Sequence, residues 1–341
     1  MSRIEKIQKK VDLAFIINPV DIFYLTGERV SKGKLFIAKT DFRLFVDGRY
    51  IEKCRQNTSI LVELDTQENI DRFLAAISFE KVYLNGEILS YRQFNEFVKY
   101  FPNKEIIDTK LMKDLRMVKD SDEIVRLEKS AALNYAGYKH LRKFLIEGIT
   151  EKEVAWEFEK YCRENGASEM AFPTTIAFGE HTSLPHHNVT NKKLKLSDPI
   201  LIDIGVVLDG YTSDMTRSFC IEDQTDEYEK IKNLVKMAFD KAQRMCKPGI
   251  KVLEIDGMVR EFFKENGVED KFMHSLGHSL GLQVHEQPII SSKEKDAVLL
   301  ENMVITIEPG LYFAGKWGYR YEDTLLITQS GVVNFYKKGE S

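Results

Sequence analysis

The sequence predicts a two-domain protein of the mixed α/β (α+β) class, with a small α/β unit over residues 1–115 and a larger unit over 116–341. Three observations carry this expectation. The chain has 341 residues, and at roughly 150 residues per domain that length points to two domains. Its first third alternates strand and helix patterns. The remainder echoes itself at a constant offset.

In the first third, 13–17 reads as a strand. The apolar runs 34–38 and 43–46 flank Lys39-Thr40-Asp41, a polar turn that predicts a hairpin. A further strand is expected at 60–64. Residues 70–77 and 91–101 have helical spacing around a strand at 81–84. Alternation of this kind builds a small α/β layer. A long helix should follow, capped by Asp120, with Ile124, Leu127, Ala131, Tyr135, Tyr138 and Leu145 on one stripe.

The echo begins there. Gly148, Val154 and Gly166 recur as Gly249, Ile255 and Gly267, always 101 residues on. Each copy reads as an amphipathic helix ended by Asn-Gly, where glycine takes the left-handed conformation past a helix end. Thr150 and Glu153 form a capping box in the first copy. Duplication implies two similar αβ halves about a pseudo-two-fold axis, with a cleft between them.

Composition narrows the function. Hydrophobic residues at 43% and charged residues at 30% exclude a disordered chain. With 49 Lys+Arg against 53 Asp+Glu, the net charge is −4, which argues against nucleic acid or an anionic membrane as the main partner. No stretch approaches 18 uncharged apolar residues, so no membrane span is expected. The run at 13–17 is too short for a signal peptide and lacks a cleavage site. The cysteines Cys54, Cys162, Cys220 and Cys246 are isolated from one another, which suits a reducing cytoplasm.

The chemistry concentrates in the second domain. Asp203 interrupts an apolar run from Leu201 to Val207, and a buried, unpaired carboxylate costs several kcal/mol. A turn at Asp209-Gly210 returns the chain to Asp214, bringing both aspartates to one end of a ribbon. The plain alternative is an ion pair with Arg217. Glu308 ends another apolar strand before Pro309-Gly310, and Glu322 begins the next after Arg320. The plain alternative there is a surface Arg320–Glu322 pair. Six of seven histidines fall in two segments: His181, His186 and His187, then His274, His278 and His285. Gly277 and Gly281 would let the backbone turn tightly beside a ligand. Four carboxylates and an imidazole form an oxygen-rich set that favours two divalent ions, manganese, cobalt or iron over a thiolate-type zinc site. Two ions about 3.5–4 Å apart can share and deprotonate a water and polarise a carbonyl, so the expected class is metal-assisted hydrolysis.

The ordered set Asp203, Asp214, His278, Glu308 and Glu322, with the surrounding blocks Asp203-Ile204-Gly205, Ser213-Asp214-Met215-Thr216-Arg217, His274-Ser275-Leu276-Gly277-His278, Ile307-Glu308-Pro309-Gly310 and Arg320-Tyr321-Glu322-Asp323, resembles the pita-bread-fold metallopeptidases. These include methionine aminopeptidase, Xaa-Pro aminopeptidase and Xaa-Pro dipeptidase (prolidase). The resemblance covers about residues 110–335. It implies an N-terminal creatinase-like α/β domain followed by a pseudo-two-fold pita-bread catalytic domain. It makes those five residues the metal ligands, with Asp214 and Glu322 bridging two ions, manganese first and cobalt, iron or zinc as alternatives. It makes Glu308 also the proton acceptor for the attacking water. His186 resembles the substrate-binding histidine of proline-specific members, His274 and His285 the pair flanking the scissile bond, and Arg320 an arginine that supports the site or a metal-binding carboxylate.

The preceding α/β domain, with Phe45-Val46-Asp47-Gly48-Arg49-Tyr50, is similar to that of Xaa-Pro peptidases rather than methionine aminopeptidases. Creatinase lacks the full ligand set that stands here. The resemblance therefore implies a cytoplasmic, homodimeric enzyme acting on peptides with proline in the second position. Dipeptidase-type members place an arginine before the Glu308 block to hold the substrate carboxylate. Between Glu286 and Tyr319 there is none, and Lys293 and Lys295 are the only cations before Glu308. The expectation is an Xaa-Pro aminopeptidase, with a dipeptidase as the alternative and a non-catalytic peptide-binding protein as the minor one. Gly179-Glu180-His181-Thr182 departs from the family's Gly-x-Asn-x, leaving His181 either a neutral substitution or an added pocket residue. Trp156 and Trp317 read as packing residues, Trp317 within reach of the pocket.

Overall fold

The computed structural model describes residues 2–337. The chain divides into two compact units between Leu115 and Arg116. The first is built on a six-stranded sheet. Strand Leu13–Ile16 lies inside it, antiparallel to Gly33–Ala38 and parallel to Lys81–Leu84. Gly33–Ala38 forms the expected hairpin with Phe42–Val46. Helices Gln67–Ala75 and Tyr91–Val98 start on the side chains of Thr66 and Ser90. They cover a core of interlocked rings, among them Phe15 on Phe97 at 4.4 Å and Phe36 on Phe45 at 5.6 Å. Asp21 and Glu28 are buried here as well.

The second unit shows the duplication element by element. Helix Glu151–Glu164 in the first half matches Val252–Glu265 in the second, so both ends are offset by 101 residues. Gly148 and Gly249 have φ of 88° and 90°, and Gly166 and Gly267 have 105° and 71°. All four occupy the left-handed region that favours glycine. Thr150 closes its capping box, whereas Lys251 makes no side-chain cap. Each half pairs this helix with a longer one, Ser121–Leu141 or Asp226–Met245. Each pair packs on a sheet through its own apolar core. Asp120 caps the first long helix in a capping box. From its buried face Asn134 donates to the Ile204 carbonyl, tying it to the strand that carries Asp203, and Ser130 donates to the Val206 carbonyl on the strand that follows.

The first-half sheet runs Met215–Phe219, Ile200–Ile204, Thr175–Phe178, and the second-half sheet centres on Val304–Ile307 beside Asp323–Thr328. No helix among the described residues is long and apolar enough to cross a membrane. The four cysteines are free. Trp156 departs from its packing role at 63% exposed.

Candidate metal centre

Strand register brings the carboxylates together. Asp209 and Gly210, at φ 51° and 87°, form a two-residue turn whose flanks pair Leu208 with Tyr211. The same register continues to Met215 opposite Ile204 and Thr216 opposite Asp203. Asp214 therefore lies between these two runs of pairs, one residue before Met215 and diagonal to Asp203. In the other half, Ile307 pairs with Asp323. The next register position holds Glu308 and Glu322, just beyond the paired strands. His278 sits on strand Gly277–Ser279, which runs beside Val304–Ile307. Gly277 is needed there because a Cβ would meet the Thr306 carbonyl oxygen at 2.1 Å. Gly281 likewise abuts the Glu286 carboxylate. These glycines admit neighbouring protein groups, a different reason from the ligand approach that the sequence suggested.

A cavity of about 450 Å³ gathers the five expected metal ligands, Asp203, Asp214, His278, Glu308 and Glu322, with His186, His274, His285 and Arg320. Phe172, Pro173, Val284 and Ile289 supply its apolar wall. Lys293 and Lys295 do not line it, and neither does His181. Trp317 packs on Tyr228 at 5.0 Å and Phe313 at 4.7 Å instead.

Both plain ion-pair alternatives give way to other partners. Arg217 is buried against Asp323 at 2.6 Å. Arg320 is buried too, and its Nη2 donates to Asp203 Oδ2 at 2.6 Å. Its Nη1 donates to the Tyr312 hydroxyl at 2.6 Å and its Nε to Thr216 Oγ1 at 3.0 Å. Thr216 in turn donates to Glu322 Oε2 at 2.7 Å. Tyr312 and Thr216 are site residues that sequence reasoning passed over, although Thr216 stands inside one motif block and Tyr312 two residues past another. The Tyr312 hydroxyl contacts His274 Nε2 at 2.9 Å, and His274 Nδ1 faces the Ser275 carbonyl at 2.8 Å. Burial pushes His274 down to about 4, helped by the nearby Arg320 charge, so its ring is neutral. Nδ1–H then donates to the carbonyl and Nε2 accepts from Tyr312.

Two family models match this chain. Metallopeptidase family M24 covers residues 125–329, and the creatinase/prolidase N-terminal domain covers residues 3–118. The chain belongs to metallopeptidase family M24. It is a metal-dependent hydrolase with the pita-bread fold. An uncharacterized peptidase of Staphylococcus epidermidis is 34% identical, over 99% of this chain and 100% of its own length. A Xaa-Pro dipeptidase of Pyrococcus furiosus is 34% identical over 98% and 97%. The crystal structure of an X-Pro aminopeptidase from Thermotoga maritima superposes with a TM-score of 0.90 at 30% identity, covering 98% and 97%.

The residues of this M24 hydrolase fit divalent ions. His278 is buried, and its Nδ1 faces the Ser279 carbonyl at 3.2 Å. Burial pushes it down to about 3, with His285 adding to the effect, so it is neutral and Nε2 carries a lone pair. That lone pair faces Asp214 Oδ2 at 3.6 Å and Glu308 Oε1 at 3.5 Å. Ligand atoms of Asp214, His278 and Glu322 all lie within 4.8 Å of one another. Asp203 Oδ1 is buried with no hydrogen-bond partner. Lone pairs converging on one point without a donor repel, and a cation resolves the repulsion. The protonation behaviour agrees. Burial and neighbouring carboxylates push Asp214 and Glu322 well above the carboxylate range. Burial raises Glu308 to about 8, with Asp203 adding to it against the pull of Arg320.

Proposed function

We propose that this protein hydrolyses the N-terminal Xaa-Pro bond of peptides as an Xaa-Pro aminopeptidase. Asp203, Asp214, His278, Glu308 and Glu322 would hold two divalent ions, manganese first, with cobalt, iron or zinc as alternatives. When bound, the ions supply an activated water and polarise the scissile carbonyl. The chain's own groups do the rest. Glu308, as a carboxylate, accepts a proton from the attacking water and delivers it to the departing proline nitrogen. Arg320 neutralises Asp203 and braces Tyr312, which fixes the His274 ring. His186 and His285 reach into the cavity to position the substrate, and the apolar wall excludes water. Proline calls for a dedicated enzyme because its tertiary amide has no N–H for a general peptidase to read. A cytoplasmic homodimer completes the reading.

The observation that favours an aminopeptidase concerns charge. Arg320 is the one cationic side chain of the cavity lining among the described residues, and Asp203, Tyr312 and Thr216 already hold it. Nothing else there offers a cation to a dipeptide's C-terminal carboxylate. The similarity to a Xaa-Pro dipeptidase favours the second reading, hydrolysis of dipeptides. The test is to strip the metal, reload Mn²⁺ or Co²⁺, and assay an Xaa-Pro dipeptide, an Xaa-Pro-Yaa-Zaa tetrapeptide and a Met-Ala-Yaa tripeptide together. Release of Xaa from the tetrapeptide is expected. Cleavage of the dipeptide alone would establish the second reading. Cleavage of the methionine peptide alone would refute the proline assignment, and no cleavage of any peptide by metal-loaded protein would favour a peptide-binding role.

A further inference from the structure

The cavity wall that carries His186 is held by a carboxylate the reaction does not use. Glu151 is the first residue of helix Glu151–Glu164, and its side chain is fully buried. Its Oε1 accepts from the Phe178 backbone N–H at 3.0 Å and meets His181 Nδ1 at 2.8 Å. Its Oε2 accepts from the Thr190 N–H at 2.9 Å and hydroxyl at 2.7 Å, and meets His187 Nε2 at 2.9 Å.

One glutamate and two histidines this close resemble a metal site in residue type. The donor count argues against it: the Phe178 N–H, the Thr190 N–H and the Thr190 hydroxyl already take three of the about four lone-pair positions of an ionised carboxylate. Burial alone would raise Glu151, but the bonds from His187, Thr190 and His181 outweigh it and hold the group below the ordinary carboxylate range. Both imidazole nitrogens that face it must carry hydrogen, because an ionised carboxylate only accepts. His187 borders the cavity, but its Nε2 is committed to Glu151, which makes the ring a fastener.

His186 makes no hydrogen bond of its own among the described residues and is exposed in the cavity. Its place is set by the backbone on its C-terminal side, which Glu151 holds at His187 and Thr190. Thr175 adds a hydroxyl bond to the His187 carbonyl at 3.2 Å. The same carboxylate reaches the 179–183 turn through His181. That turn receives the Gly318 N–H on Thr182 Oγ1 at 2.9 Å, next to the strand of Arg320. We propose that Glu151 is a positioning residue that presents His186 to the substrate by clamping His187, Thr190 and His181 to one helix start. This rests on the reading that His186 contacts the peptide.

The test pairs kinetics with amide exchange on metal-loaded enzyme. Glu151→Gln is expected to speed exchange over 186–190 about tenfold or more, leaving 200–219 and 304–327 unchanged. It should cut kcat/KM about 10- to 100-fold, yet less than about twofold when His186 is already alanine, because the two act through one path. His187→Gln can place an N–H near the position of Nε2, so it should retain at least about fivefold more activity and protection than His187→Leu. This pair decides the matter if Glu151→Gln does not fold. Unchanged exchange over 186–190, an undiminished rate loss in the His186→Ala background, or identical His187 variants would overturn the proposal. If the wild-type enzyme cleaves no Xaa-Pro peptide, the functional reading fails on its own, and the exchange result still decides whether Glu151 holds the segment.

Discussion

The catalytic unit contains two clusters of carboxylate and imidazole, and they are opposites. Around Glu151, five donors converge on one carboxylate. Around His278, the lone pairs of a neutral ring and two carboxylates face one another at 3.5–3.6 Å, and a nearby Asp203 oxygen has no partner. Residue types alone would rank the two as equal metal candidates. Counting donors against acceptors separates them: the satisfied cluster fits a clamp, and the unsatisfied one fits a cation.

The strongest way to break this comparison is to substitute one residue of the unsatisfied cluster. Asp214→Asn should lower turnover by more than about a thousandfold, because it removes a group acting jointly with the other ligands. Turnover measured with saturating Mn²⁺ checks this, and activity within tenfold of wild type would break the assignment. A second prediction sharpens the contrast by sign. In metal-free protein, Asp214→Asn should raise the melting temperature, since it removes a carboxyl whose ionised form burial and its acidic neighbours disfavour in the folded state. Glu151→Gln should lower it, leaving donors buried without an acceptor. Each effect should amount to about 1–3 kcal/mol, read by thermal or urea unfolding after chelation. Shifts of the same sign would show that the two clusters are alike.

The smallest expected effect concerns acid. Glu151 titrates below its ordinary value in the folded protein. Its contribution is therefore complete above the unfolded value of about 4.3 and is lost as pH falls through the folded one. The stability gap between wild type and Glu151→Gln should be constant from pH 7 to about 5 and close below about 4.3. Urea midpoints across that range read it, and a gap that persists unchanged at the acid end would remove the ionic basis of the clamp.

Much of this was legible in the sequence, and for local reasons. Asp203 interrupts an apolar strand, Glu308 ends one and Glu322 begins one, so the mismatch between residue and surroundings showed. The capping boxes at Asp120 and Thr150 and the left-handed glycines at a fixed offset are likewise short-range signals. The partners were not legible. Arg320 reaches Asp203 and Arg217 reaches Asp323 across more than a hundred residues, and no local pattern encodes which pair forms. Glu151 reads as an ordinary acid in the first turn of a helix. Only the fold brings Phe178, His181, His187 and Thr190 to it. His181, which departs from the family pattern, turned out to be a donor to that carboxylate.

The most direct test of the account is the stoichiometry of Mn²⁺ bound per chain, measured after stripping and dialysis for wild type, Asp214→Asn and Glu151→Gln. The account requires two ions in the wild type, two in Glu151→Gln, and fewer than two in Asp214→Asn. Two ions retained by Asp214→Asn, or an ion lost on replacing Glu151, would contradict it.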